Sequence, residues 1–331
     1  TIAAVTPKDG APAKITKRIC KDMDKAFYPE TFVVPYTEVV HDRAVLEVMR
    51  GCIRGCRFCQ AGFIYRPIRA KSPDVLCSQG KSLCETTGYE EMSLASLSTS
   101  DHPQVEEMLD KIIDYTLEEK INLSLPSLRV DNFSKELLDK VNKVRKTGLT
   151  FAPEAGTQRL RDVINKGVTE EEIMRTSRIA FEGGYTGVKL YFMMGLPTET
   201  EEDLLGITQL GQKIVDLYYS LPTKPKGKAV NVTISVSTFV PKPFTPFQWC
   251  AQDTYDQIVA KHDLLRHSLT TRKISLNYHE VKTSVLEGVL ARGDRRLGKV
   301  IYTAWKKGCK FDSWEEFFDF DKWKEAMAEN G

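Results

Sequence analysis

The stretch "GVKLYFMMGLPTETEEDLLGITQLGQKIVDLYYS", Gly187 to Ser220, reads as one strand, one turn and one helix. The run from Gly187 to Met194 is short and apolar, as a strand of a buried sheet is. Gly195 and Pro197 interrupt it, and either Thr198 with Glu201 or Thr200 with Asp203 then supplies a capping box for the helix that follows. Tyr191 and Met193 alternate with Phe192 and Met194, so one pair faces the helices and the other the opposite side. The sequence leaves open which pair is which.

The same order recurs along the chain. "AVLEVM" (Ala44 to Met49), "EEMSLASL" (Glu90 to Leu97), "INLSLPS" from Ile121, "LTFAPEAG", "GVKLYFMMG" and "VNVTISVSTFVP" (Val230 to Pro241) read as six strands. Helical stretches separate them: "DHPQVEEMLDKIIDYTLEE" with an Asp101 cap, "SKELLDKVNKVRKTG" between Ser134 and Gly148, "TQRLRDVINKG" and "TEEEIMRTSRIAFEGG". Alternation of this kind predicts an α/β fold with a parallel sheet and right-handed crossovers. Six units closing most of a ring make a partial (β/α)6 barrel of the TIM type. A doubly wound sheet competes, because strand order cannot be read from one sequence. The expected organisation is an extended N-terminal arm over 1–43, the barrel over 44–250, and a mostly helical C-terminal extension over 251–331 with one candidate strand at "KISLNYHE".

Composition bounds the function. With 331 residues, 41% of them hydrophobic and 28% charged, the chain can bury a sizeable core. Its net charge of +2 selects no class of partner, so a nucleic-acid partner can be argued only from local patches. No run approaches the ~18 apolar residues of a membrane span, so no membrane partner is expected and a cytoplasmic protein is. The chain opens on Thr1, as a trimmed piece of a longer polypeptide would. Eight cysteines are too sparse for a disulfide scaffold, and five are scattered.

The other three lie in "RGCIRGCRFCQAG", as Cys52, Cys56 and Cys59. Spaced i, i+4, i+7, they could line one face of a buried helix. Gly51 and Gly55 weaken a helix there, and Arg50, Arg54 and Arg57 surround the thiols with positive charge, which favours thiolates. Structural zinc wants four ligands, and Cys77 and Cys84 each stand alone rather than as a second pair. An iron-sulfur cube on three thiolates keeps one iron free to bind a substrate or cofactor, which is a physical reason for three.

CxxxCxxC with Phe58 before the last cysteine, at the end of the first strand of a repeating β/α unit, resembles the signature of the radical S-adenosylmethionine (SAM) superfamily. The resemblance implies a 4Fe-4S cluster on Cys52, Cys56 and Cys59, with SAM chelated at the open iron and cleaved reductively to a 5'-deoxyadenosyl radical. It implies an electron donor such as flavodoxin or ferredoxin, and a substrate it does not name. Phe58 would pack near the adenine. Ser96, Ser98 or Asp101 would hold the SAM amino group, with helix capping the preferred role for Asp101. Glu154 would reach the ribose hydroxyls or the amine. Arg175 or Arg178 would pair with the SAM carboxylate. Gly195 and Pro197 would let the backbone approach the adenine.

"RGCIRGCRFCQAGFIYRP", "APEAGTQRLRDVINKG", "FMMGLPTETEEDL", "FVPKPFTPFQW" and "LARGDRRLGKVIYTAW" together are similar to a little-characterised subfamily that usually follows a cobalamin-binding domain. No DxHxxG segment of the usual cobalamin-binding type is present, which leaves cobalamin, and with it radical methylation, open. Two other functions compete. A methylthiotransferase-like RNA or protein modification would want three more clustered cysteines. A zinc or redox module would bind nucleic acid through basic patches such as "ARGDRRLGK", whose ordinary explanation is a basic helix start. Arg129 and Asp131 of "PSLRVD" could face the cavity or form an ion pair. "FVPKPFTPFQW" could wall the cavity, with a packed connector to the tail the preferred reading.

Overall fold

The structure, a computed structural model, describes residues 6–124, 149–225 and 227–331. The expected helix between Ser134 and Gly148, the end of the third strand, and Arg129 and Asp131 lie outside the described residues. The strands are β1 Ala44–Glu47, β2 Met49–Arg50, β3 Arg69–Ala70, β4 Glu91–Ala95, β5 Asn122–Ser124, β6 Leu149–Glu154, β7 Gly187–Met194, β8 Asn231–Thr238 and β9 Ile274–Tyr278. The helices are α1 Gln60–Ile64, α2 Pro73–Thr87, α3 Val105–Glu118, α4 Gln158–Val163, α5 Glu170–Glu182, α6 Glu201–Ser220, α7 Tyr255–His267, α8 Val281–Arg292, α9 Leu297–Lys306 and α10 Phe320–Asn330.

β1, β4 and β5 pair parallel in that order, and so do β6, β7, β8 and β9. Neighbours in space follow chain order, as successive β/α units around a ring do. A doubly wound sheet would reverse that order at a switch point. The fold is thus a TIM-type partial barrel. "KISLNYHE" supplies β9, which extends the sheet beyond the six expected strands, with Val232 opposite Ile274 and Ile234 opposite Leu276.

Period-two alternation divides each sheet face from face. Leu190, Phe192 and Met194 of β7 are buried with Val232, Ile234 and Val236 of β8 against Leu204, Ile207, Leu210 and Ile214 of α6. Phe181 of α5 meets Tyr218 of α6 edge to face, with ring centroids 5.1 Å apart. Phe192 and Met194 are therefore the helix-facing pair. Tyr191 and Met193 stand on the other face, where Lys189 Nζ lies 4.7 Å from the Tyr191 ring centroid and Thr233, Ser235 and Ser237 of β8 are half-buried. A second core joins Leu46, Leu94 and Leu123 of the first sheet to Leu76 and Leu83 of α2 and to Met108 and Ile112 of α3.

Residues beyond 250 contribute to the barrel's core through Ile258 and Leu265 of α7, Ile274 of β9 and Val281 of α8. Leu286, Val300, Ala304, Trp323 and Ala326 form a small core of their own among α8, α9 and α10.

Helix starts follow local chemistry. The Thr200 hydroxyl accepts from Asp203 N–H while the Asp203 carboxylate accepts from Thr200 N–H, so the second of the two expected capping boxes begins α6. The cap expected from Asp101 is not made: Gln104 precedes α3 without a side-chain cap, and the Asp101 carboxylate is engaged elsewhere. The first turn of α6 packs directly onto the turn after β6. A Cβ on Gly156 would lie 2.4 Å from both the Asp203 carbonyl oxygen and the Ile207 nitrogen. Gly156→Ala should therefore destabilise the protein by about 3 kcal/mol through overpacking of rigid backbone. Thermal unfolding checks this, and a variant that melts with the parent would contradict the close packing.

Candidate active site at the cysteine loop

Residues 51–59 carry no helix, so the three cysteines do not line a helical face. The loop is instead stapled at its base, where β2 and β3 pair antiparallel, Met49 opposite Ala70 and Arg50 opposite Arg69. Gly51 makes this closure: its φ is +92°, and a Cβ there would lie 2.7 Å from the Tyr65 carbonyl oxygen. At the far end Cys59 is the N-cap of α1, its sulfur accepting from Gly62 N–H at 3.4 Å. Cys56 is buried, Cys52 and Cys59 are half-buried, and none of the three is in a disulfide.

The loop is fastened to three strand ends. Arg54 donates in a fork to Asp101, beyond β4, at 2.9 and 2.5 Å, and Ser98 donates to the same carboxylate at 2.7 Å. Arg57 N–H donates to the Ile164 carbonyl at 2.9 Å, its guanidinium reaches the Val163 carbonyl, and Asn165 donates to the Gly55 carbonyl at 2.9 Å. Gln60 donates to the Pro243 carbonyl at 3.2 Å. Phe58 packs against a cluster of Ala155, Leu160, Ile164, Leu196, Phe239 and Phe247, drawn from the carboxyl-end loops of β6, β7 and β8. "FVPKPFTPFQW" thus buries Phe239 and Phe247, while Phe244 and Trp249 remain exposed.

The other expected residues separate into groups. Ser96 bonds Thr99 at 2.9 Å and lines a cavity of about 400 Å3 beside the loop, together with Glu47, Arg50, Gly51 and Tyr65. Ser98 is buried, with its hydroxyl committed to Asp101. Glu154 ends β6 at φ +69° and accepts from Lys166 at 3.1 Å. Arg175 and Arg178 lie on the exposed face of α5.

Gly195 and Pro197 form the β7–α6 turn, which two carboxylates organise. Asp203, 2% exposed, accepts from Thr200, Thr157 and Arg159, and so ties this turn to the one after β6. Glu199, 3% exposed, accepts from Gly195 N–H at 2.9 Å and from Lys261 at 2.7 Å; Lys261 also meets Asp253 at 2.6 Å. Burial pushes the Glu199 carboxyl up, against the Lys261 hydrogen bond that favours its charge. Arg161 is fully buried and donates to the Ala155 carbonyl at 3.0 Å and to Gln158 at 3.1 Å.

Comparison with known proteins decides the family. The model of the Radical SAM superfamily matches residues 46–211, half of the chain. The chain belongs to the radical SAM superfamily. An uncharacterised protein of Methanocaldococcus jannaschii is 30% identical over 295 residues, covering 86% of this chain and 62% of that protein. A tRNA-2-methylthio-N(6)-dimethylallyladenosine synthase of Desulforamulus reducens is 24% identical over 171 residues, covering 49% of this chain and 37% of the synthase. This chain therefore spans less than two thirds of either relative. Among solved structures, the radical SAM methyltransferase TsrM of Kitasatospora setae, with cobalamin and a [4Fe-4S] cluster bound, aligns with a TM-score of 0.48 at 15% identity, covering 62% of this chain and 38% of that one.

Radical SAM proteins use a 4Fe-4S cluster and SAM, and the donor set suits both. Among the described residues no three His, Cys, Asp or Glu side chains converge on one metal ion. A cube asks for something else, since each thiolate takes a different iron. Three cysteines outside any disulfide, spread along a non-helical loop, meet that demand. Among the described residues no helix is long and apolar enough to cross a membrane.

Asp203 offers a test of how the radical SAM loops are held. Burial raises its pKa, but the hydrogen bonds from Arg159, Thr157 and Thr200 outweigh this and bring it to about 2 from an ordinary 3.8. A carboxyl whose pKa is depressed by folding stabilises above its unfolded value and loses that contribution as pH falls through the folded one. The parent should therefore lose about 2 kcal/mol between roughly pH 5 and pH 2 that Asp203→Asn does not lose. Urea unfolding across that range measures it, and equal losses would count against the assignment.

Proposed function

We propose that this chain is the catalytic core of a radical SAM enzyme, with Cys52, Cys56 and Cys59 as ligands of a 4Fe-4S cluster. The observation that carries the reading is a loop of three cysteines outside any disulfide, closed at its base by β2–β3 and bonded to the loops beyond β4, β6 and β8. When bound, the cluster supplies the electron that cleaves SAM reductively to a 5'-deoxyadenosyl radical, which takes hydrogen from the substrate. Three protein ligands rather than four leave a coordination position for the methionyl amine and carboxylate.

The chain's own residues bind, orient and exclude water. Phe58 and its apolar cluster form a dry wall beside the thiols. Glu154 and Ser96 present acceptors at the strand ends for the amine or ribose hydroxyls. Glu199 holds Gly195 N–H, and through Lys261 and Asp253 fixes the turn that backs the adenine. Ser98 acts indirectly, steadying Asp101 and so Arg54. The substrate lies against the polar strand face of Lys189, Tyr191, Ser235 and Ser237. Exposed Arg57 and Arg66 at the loop suit an acidic reductant such as flavodoxin or ferredoxin. The sequence holds no DxHxxG segment, so no residue is assigned to cobalamin.

Among the described residues, the other cysteines of this chain lie apart rather than as a second trio of the methylthiotransferase kind. Cys84 and Cys309 are buried in different cores, the Cys77 thiol contacts the Lys111 carbonyl, and burial pushes the Cys84 thiol up to about 11. Anaerobic reconstitution with iron and sulfide should give a brown protein with about four irons per chain. One colourless zinc and no iron would sink the cluster reading. In the reconstituted protein, Cys56→Ala should reduce release of 5'-deoxyadenosine from SAM and dithionite to the level without protein. Undiminished release would move the cluster elsewhere.

A further inference from the structure

"ARGDRRLGK", Ala291 to Lys299, and the helix it opens have no part in the chemistry above. One side of α9 is structural: Val300 and Ala304 join the core with Trp323 and Ala326, and Lys307, at its C-cap, pairs with Glu325 at 2.9 Å and Glu329 at 2.7 Å. The other side is unlike an ordinary solvated helix face, which mixes charges of both signs. Tyr302 is 55% exposed and Trp305 53% exposed. Their rings stack with centroids 5.7 Å apart at an interplanar angle of 27°, and Lys306 Nζ lies 4.7 Å from the Tyr302 centroid.

Exposed cations flank these rings along the chain. Among the described residues no carboxylate pairs with Arg295, Lys299, Lys306 or Lys310, while the nearby Asp294 is taken by Arg296 at 3.0 Å. The whole chain carries a net charge of only +2, so this excess is local. The core of a protein interface is depleted of lysine. A face that joins stacked, exposed rings to unpaired cations has instead the two parts that single strands require, a platform for bases and charges for phosphates.

We propose that the outer face of α9 binds single-stranded nucleic acid. Bases stack on Tyr302 and Trp305, and phosphates run along Arg295, Lys299 and Lys306. The site is independent of the cluster, so it stands or falls apart from the radical SAM reading.

Fluorescence anisotropy of the 331-residue chain with a short labelled single-stranded RNA, the matching DNA and the matching duplex tests it. Single strands should bind more tightly than the duplex, and whichever single-stranded arm is tighter names the polymer. Between about 50 and 200 mM salt, log affinity should fall with a slope of about −0.7 per phosphate contacted. Trp305→Ala should weaken binding about tenfold and leave the slope unchanged. Lys299→Gln with Lys306→Gln should flatten the slope by about 1.4. All three positions are exposed, so each variant should melt with the parent, which keeps loss of binding distinct from loss of fold. Absence of salt-dependent binding by the parent overturns the proposal. So does a Trp305→Ala variant that binds single strands like the parent, and so does one that loses an acidic flavodoxin while keeping the single strand, which would make the face a protein interface.

Discussion

Because β1, β4 and β5 run parallel, and β6 to β9 likewise, each sheet delivers all the loops from its carboxyl ends to one edge. The contacts of Arg57 with Ile164 and of Gln60 with Pro243 bring the edges of the two sheets together. Parallel pairing also makes helices obligatory, since each return must cross a sheet face and bury it. That buried face takes the apolar half of every strand, Phe192 and Met194 among them. The polar half, Lys189, Tyr191 and the serines of β8, is left for the side on which chemistry can occur.

Rigid strands do not by themselves place loops to the tolerance that chemistry needs. Here buried charge does that work. Asp101 holds Arg54, Asp203 holds Thr157 and Arg159, and Glu199 holds Gly195 and Lys261, so each carboxylate joins segments distant in the chain. Removing the basic partner leaves a buried carboxylate uncompensated, which costs far more than an exposed pair contributes. The same logic sets the outer face of α9 apart, where Tyr302 and Trp305 stack and, among the described residues, no carboxylate pairs with Arg295, Lys299 or Lys306.

Local chemistry was the legible part. The Thr200–Asp203 box, one of two on offer, was readable because a cap spans only three residues. Asp101 misled for the same reason: a carboxylate ahead of a helix looks like a cap until Arg54, 47 residues earlier, claims it. The helical spacing of the three cysteines was likewise real in sequence, yet the β2–β3 ladder holds the loop open. Glu199 with Lys261, and buried Arg161, carried no signal at all, since their partners are carbonyls or lie 62 residues away.

By itself the sequence determined the alternation of strands and helices, the three-thiol loop and the family it implies, since each rests on spacing within a few turns of chain. Tertiary structure alone decided that strand order is sequential, that Phe192 rather than Tyr191 faces the helices, and that β9 continues the sheet. It also decided which cations are neutralised. The reason is physical: periodicity records that two faces differ, but only the packed neighbours supply the burial and counter-charges that tell which face is which.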